Sequence, residues 1–377
     1  MNAPANLPQL PPPIGLLAEL THRCPLGCPY CSNPVDMDKL SSELSTEVWK
    51  RVFTEAAAAG VLQVHLSGGE PASRRDLVEI VAHCFQHGLY TNLITSGIGI
   101  TEALTQKLFD AGLDHVQLSI QDSIAESADK IAGYKGAFAR KAKVAEWVIK
   151  AGFPLTVNAV IHRANVERAG AMVALAIKLG ARRVEIAHTQ YYGWAIQNRA
   201  ALLPARADAE KAIAEIERLK KEHEGTIVID HVIPDYHARY PKACMGGWGK
   251  RTLNVTPKGK VLPCHAAETI PGLEFWNVQD HSVMDIWTNS PAFNAYRGTA
   301  WMKEPCLSCT RKTQDYGGCR CQALALTGDA ANADPVCHLS HFHHTIAEVV
   351  LDESHIGKGE VDYVYRRLEP VKADAQG

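Results

Sequence analysis

Cys24, Cys28 and Cys31 share the short segment CPLGCPYC, and thiolates so spaced can converge on one iron-sulfur cluster. A four-iron cluster needs four ligands and this segment supplies three, so one iron would keep an open position. An open position means chemistry rather than scaffold, as it does at catalytic zinc. A zinc site completed by His22 or His65 is the alternative. The segment SGGEP, Ser67 to Pro71, adds a second chemical feature: its two glycines let backbone come close to a ligand, and the Glu70 carboxylate can accept from an ammonium group.

The chain has 11 cysteines, and seven of them, Cys244, Cys264, Cys306, Cys309, Cys319, Cys321 and Cys337, crowd its last third. In a reducing compartment such spacing reads as metal ligation before disulfides. Treble-clef or ribbon zinc sites also use CX2C pairs, although seven cysteines are awkward for zinc alone. Five intervening residues lead from Cys309 to Asp315, and three more lead to Cys319. Asp315 is either a hard oxygen ligand among soft thiolates or a turn aspartate beside Tyr316, Gly317 and Gly318. Cys84 shares a helical face with Leu77, Ile80 and Val81 and reads as a core thiol. The histidine run from His338 to His344 is either an opportunistic metal binder or a helix start.

These residues need elements to place them. From about 14 to 230, short apolar runs alternate with helical periodicity, the pattern of βα units in a parallel sheet. The expected strands are 14–20, 62–67, 90–95, 114–120, 154–161 and 182–188, with TIVID near 226 as a further candidate. Gly60, Gly88, Gly112, Gly152 and Gly180 each stand where a helix must stop before the next strand. Six units predict an open, partial (β/α)6 TIM-like barrel, with polar motifs on the loops after the strands. We expect an N-terminal extension over 1–13, a barrel over 14–235, a cysteine-rich domain over 236–345, and a C-terminal tail over 346–377. Metal would supply the cross-links that the loop-rich third region lacks.

At 377 residues, 46% hydrophobic and 21% charged, the chain can bury a full core. A formal net charge of −2 gives no basic field for nucleic acid or an anionic membrane surface. The start MNAPANLPQLPPP lacks a basic and then apolar signal pattern, and no apolar run approaches the roughly 18 residues that span a bilayer. A cytoplasmic location is expected.

CPLGCPYC followed by SGGEP resembles the radical S-adenosylmethionine (SAM) superfamily, whose mark is CX3CXφC, with φ aromatic, then a GGE loop. Tyr30 stands at φ. The resemblance implies a [4Fe-4S] cluster on Cys24, Cys28 and Cys31 that binds SAM through its open iron, with Gly68, Gly69 and Glu70 around the SAM amino group. It further implies ribose or carboxylate contacts from Ser96, Ser119 and Arg163. The last third resembles the SPASM arrangement of peptide-modifying relatives. That resemblance implies two auxiliary iron-sulfur clusters, [4Fe-4S] and/or [2Fe-2S]: one on Cys244, Cys264, Cys319 and Cys321, the other on Cys306, Cys309, Asp315 and Cys337.

The strings LAELTHRCPLGCPYCSNP, YYGWAIQNRAALLP and CMGGWGKRTLNVTPKGKVLPCH resemble the PqqA peptide cyclases, the family that acts in pyrroloquinoline quinone biosynthesis. The family reaction joins a glutamate γ-carbon to a tyrosine ring carbon of the precursor peptide PqqA, after a 5′-deoxyadenosyl radical removes a hydrogen. Gln190, Tyr191 and Tyr192 are the expected substrate contacts. Only 13 residues precede the first expected strand, so a separate protein is expected to present the peptide, and the resemblance implies the chaperone PqqD. It implies an external electron donor such as a flavodoxin as well. The alternative is another SPASM peptide modifier, thioether-forming or sulfatase-maturing, against which Asp315 weighs.

Overall fold

A computed structural model describes residues 10–37, 40–233, 235–354 and 361–366. Of the expected extension, 1–9 lie outside the described residues, as do 355–360 and 367–377 of the expected tail. Strands form at the expected runs, β1 (Gly15–Thr21) first and then, each after a helix-stop glycine, β2 (Gln63–Gly68), β3 (Tyr90–Thr95), β4 (His115–Ile120), β5 (Leu155–Ile161) and β6 (Arg183–His188). Gly152 and Gly180 take φ of 96° and 79°, the left-handed turn that lets the chain leave a helix without a Cβ clash.

Between strands run α1 (Thr46–Ala58), α2 (Leu77–Gln86), α3 (Glu102–Asp110), α4 (Ala125–Ala132), α5 (Ala137–Ala151) and α6 (Ala169–Lys178). Ser45 and Thr101 cap α1 and α3 by accepting from the Val48 and Leu104 amides, which satisfies donors the helices leave open. After β6 come two single turns, α7 (Trp194–Gln197) and α8 (Arg199–Leu202), and then α9 (Arg206–Glu222). TIVID does form a strand, β7 (Val228–Val232).

The sheet is wider than the sequence predicts. Its order is β7-β6-β5-β4-β3-β2-β1-β8-β9, where β8 is Thr252–Val255 and β9 is Val261–Leu262. β8 pairs in parallel with β1, from Gly15 with Thr252 to Ala18 with Val255, and β9 pairs antiparallel with β8. The sheet therefore runs past residue 235, where the sequence suggests a boundary. Buried Leu16, Ala18 and Leu20 of β1 share one core with Val64 and Leu66 of β2, Trp49 and Phe53 of α1, and Leu253 and Val255 of β8. Cys84 is in that core, as its helical face predicts.

Beyond β9 the chain is mostly loop with short helices. A buried guanidinium does part of what an apolar core would do: Arg320, only 1% exposed, donates to the carbonyls of Ala330 (2.8 Å) and Asn332 (2.9 Å). His343 opens the helix His343–Ser354, so the end of the histidine run is a helix start.

Candidate active site and auxiliary cysteine sites

The C-terminal ends of β1 to β6 open on one cavity of about 430 Å³. Into it come Cys24, Cys28, Tyr30 and Cys31 after β1, Gly68 and Gly69 at the end of β2, Ser96 after β3, Ser119 of β4, and Gln190 and Tyr192 after β6. Three expected contacts, Glu70, Tyr191 and Arg163, do not line it. Tyr191 turns the other way from its neighbour and packs on Tyr236, ring centroids 4.9 Å apart, in a separate core. Arg163 is buried and is not among the residues lining this cavity; its amide donates to the Leu202 carbonyl at 2.8 Å.

The two glycines solve a packing problem between loops. The Gly69 and Glu70 amides donate to the carbonyls of Thr21 (2.5 Å) and Arg23 (2.6 Å), which brings the β2 loop against the β1 loop backbone to backbone. A Cβ on Gly68 would collide with the Thr21 backbone, and one on Gly69 with that of Arg23. Glu70 also differs from an open acceptor. Its carboxylate is 1% exposed and accepts from Thr95 Oγ1 (2.8 Å), the Ser96 amide (2.8 Å) and the Ala72 amide (3.0 Å). It caps the short 3-10 turn Pro71–Ser73 and straps β2 to the end of β3, leaving the backbone of Gly68 and Gly69 to face the cavity.

Other elements hold the cysteine loop from behind. Trp194 Nε1 donates to the Pro34 carbonyl (3.2 Å), and Asn198 Nδ2, between α7 and α8, donates to that of Pro29 (3.1 Å). From the far end of the chain, Arg366 donates to the carbonyls of His22 (3.1 Å), Cys24 (3.1 Å) and Leu26 (2.7 Å).

Burial pushes the Cys24 thiol up to about 12 and Cys28 up to about 11, while Arg366 pulls Cys24 back and Lys141 pulls Cys28 back. Such thiols ionise only against a cation, and metal ligation supplies one. Lys141 is itself buried under the cavity floor, where its Nζ donates to the Ser119 carbonyl (2.8 Å) and Gln121 Oε1 (2.6 Å), and burial lowers it to about 8. Soft donors, nearby cations and an open volume beside them fit an iron-sulfur cluster with a small ligand. No three His, Cys, Asp or Glu side chains among the described residues are grouped so as to hold a single metal ion.

In the last third, the free thiols of Cys244, Cys264, Cys319 and Cys321 gather in a nest that includes Trp248, Leu262, Ala266 and Ala330. Cys306, Cys309, Asp315 and Cys337 line a separate small cavity. Asp315 combines both of its sequence readings. Its Oδ1 accepts from the Gly317 amide (3.1 Å), as a turn aspartate does, while the same side chain borders the cysteine cavity. Replacing Asp315 by Ala should therefore change the EPR signal of one auxiliary cluster and leave the others as they were. Unchanged spectra would reduce Asp315 to its turn bond.

Asp334 links these two regions by accepting from the Cys319 amide (2.7 Å), Gln322 Nε2 (2.7 Å) and the Val336 amide (3.0 Å). Tyr192 links the first of them to the large cavity: its hydroxyl bonds His265 Nε2, next to Cys264, and the two rings lie 5.2 Å apart.

Residues 18–176 match the family model of the radical SAM superfamily, and 244–310 match that of an iron-sulfur cluster-binding domain, SPASM. A PqqA peptide cyclase of Methylocella silvestris is 69% identical over 99% of this chain and 100% of its own length. One of Methylobacterium nodulans is 61% identical over 97% of this chain and 96% of its own. The chain belongs to the PqqA peptide cyclase family. Solved structures share its fold: Streptococcus suis SuiB bound to S-adenosylmethionine superposes with a TM-score of 0.73 at 19% identity, covering 87% of this chain and 78% of that one. A native anSMEcpe structure with AdoMet and a peptide gives 0.64 at 15% identity, covering 91% and 97%.

Within this cyclase family fold, Lys141, Asn198, His265, Asp334 and Arg366 went unread in the sequence. Lys141 had a local signal, since it interrupts the apolar face of Ala137, Val144, Ala145 and Val148 on α5. Asn198 lies inside the YYGWAIQNRAALLP string, with nothing local to mark its reach to Pro29.

Proposed function

We propose that this chain forms the carbon-carbon bond between a glutamate γ-carbon and a tyrosine ring carbon of PqqA, with its radical chemistry at Cys24, Cys28 and Cys31. The reading is carried by one observation: three half-buried thiols, the Gly68-Gly69 backbone and Tyr192 all border a single cavity, and Tyr192 reaches out of it to bond His265 and pack in the nest of Cys264. A [4Fe-4S] cluster with SAM, held there by Cys24, Cys28 and Cys31, would supply the radical chemistry that takes the γ-hydrogen.

The protein's own residues would do the rest. Cys24, Cys28 and Cys31 hold the cluster by three corners; Gly68, Gly69, Ser96 and Ser119 form the wall that takes SAM; Tyr30 and Gln190 close the cavity against water. Tyr192 lies between the cavity and Cys244, Cys264, Cys319 and Cys321, which would hold an auxiliary cluster able to take up an electron from the cyclised peptide. Cys306, Cys309, Asp315 and Cys337 form a second auxiliary site. The partners of this reading are PqqA, the chaperone PqqD and a flavodoxin-like reductant. Among the described residues no helix is long and apolar enough to cross a membrane, and we propose a cytoplasmic location.

The test is an anaerobic reaction of reconstituted protein with SAM, reductant, PqqA and PqqD. The expected product has lost two hydrogens and carries a Glu-Tyr cross-link. If 5′-deoxyadenosine forms while the peptide mass stays the same, the chain modifies another peptide.

A further inference from the structure

We propose that Arg366, carried on the described segment 361–366, is a positioning residue for the first cluster: it shapes the loop that holds Cys24, Cys28 and Cys31 and sets a fixed positive charge beside it. The inference rests on the cluster assignment made above. Arg366 is 5% exposed, and its guanidinium donates to three loop carbonyls, those of His22 (3.1 Å), Cys24 (3.1 Å) and Leu26 (2.7 Å). Its own amide donates to a fourth, that of Gly27, at 3.0 Å. A buried backbone loop with unpaired carbonyls is costly, and here one residue satisfies four.

The segment is seated rather than draped. The Val364 amide donates to Asn198 Oδ1 (2.7 Å) and its carbonyl accepts from Asn198 Nδ2 (2.9 Å), the same side chain that donates to Pro29 in the cysteine loop. Tyr365 Oη donates to the Lys130 carbonyl at 2.8 Å. Gly27 is closed in by the same segment, for a Cβ there would come within 3.0 Å of the Arg366 carbonyl oxygen. Arg366 borders both the inner cavity and an outer groove of about 760 Å³, so its side chain is part of the wall between solvent and the cysteine loop.

The partners of the guanidinium are neutral carbonyls, so its charge is not cancelled by them. The guanidinium sits on the carbonyls of His22, Cys24 and Leu26, so its positive charge stands at the loop that would hold the cluster. A thiolate-bound cluster becomes more negative when it takes an electron, so a fixed cation favours the reduced form. Lysine would keep the charge but has no planar fork to span three carbonyls.

The test uses the reconstituted full-length holoenzyme, titrated anaerobically and followed by EPR with and without SAM. For R366Q, the reduced-to-oxidised ratio of the first cluster at a fixed potential should fall about tenfold, which is 59 mV for one electron. R366K should recover most of that loss while its SAM-induced change in line shape stays unlike the parent's. Auxiliary-cluster signals in the same samples report whether the fold is kept. Parental potential and line shape in R366Q overturn the proposal, and equal shifts in R366Q and R366K overturn the role of charge. Should R366Q lose the auxiliary signals too, R366K carries the test, and a fully parental R366K spectrum overturns the need for the fork. A Cys24, Cys28 and Cys31 triple alanine variant separates the two levels: a first-cluster signal that survives there removes the cluster assignment itself.

Discussion

Cys28→Ala should reduce 5′-deoxyadenosine formation to background while the auxiliary clusters persist. The thiol it removes lies in the middle of the cysteine loop, half-buried on the cavity wall with Tyr30 and within the field of Lys141. The loop does not depend on that sulfur for its shape. The Gly27 amide donates to the Ala132 carbonyl (2.8 Å), and Arg366 and Asn198 hold neighbouring carbonyls. Removing one half-buried sulfur from so braced a loop should cost about 1 kcal/mol of stability or less, at the low end of core truncations. The loss is therefore chemical: two thiolates cannot keep a four-iron cluster that is already one ligand short. Iron analysis should fall by about one cluster per chain, and product chromatography with SAM and dithionite should show no 5′-deoxyadenosine. Continued turnover would mean that the radical chemistry sits elsewhere.

Gly69→Ala should do comparable damage for a purely steric reason. Unlike Gly68, whose φ is 117°, Gly69 has no left-handed backbone to explain it. What forbids a methyl group is the Arg23 carbonyl, which lies where the Cβ would have to go. To admit alanine the β2 loop must retreat from the cysteine loop, breaking the bonds from Gly69 to Thr21 and from Glu70 to Arg23. Overpacking of this kind costs about 1–3 kcal/mol. A displacement of about 1 Å at a reacting geometry can cost about 100-fold in rate. We expect a fall of that order in 5′-deoxyadenosine formation and weaker SAM binding by calorimetry, with the auxiliary EPR signals retained. Parental SAM affinity in a folded Gly69→Ala protein would show that the two loops need not touch.

Most of the sheet was readable because strands such as HVQLSI and RVEIAH alternate a buried apolar residue with a less buried one, and from β2 to β6 each follows a glycine that ends a helix. β8 escaped because it is only four residues long and lies between Cys244 and Cys264, in a stretch whose cysteines dominate its pattern. The chemical residues were legible by type and spacing, yet the direction of a side chain was not. Glu70 reads as an outward acceptor in SGGEP, and only the 3-10 turn that follows it sends the carboxylate inward. Tyr191 and Tyr192 are neighbours of one type, and the backbone after β6 sends one to a core and the other to the cavity. Arg366 lies 340 positions from Leu26, a contact that no local pattern can announce.

The pairing of β8 with β1 has a consequence for how the reaction must be fed. Gly15 to Ala18 of β1 hydrogen-bond to Thr252 to Val255, and the same β1 runs on into the loop of Cys24. The spacing from the radical site to the first auxiliary thiols is then written into a strand register, in which the smallest possible slip is one whole residue and would turn every β8 side chain to the opposite face. That spacing is therefore set by the folded sheet itself. A substrate entering this cavity meets a vessel whose walls are already set, and the peptide is the part that must adjust.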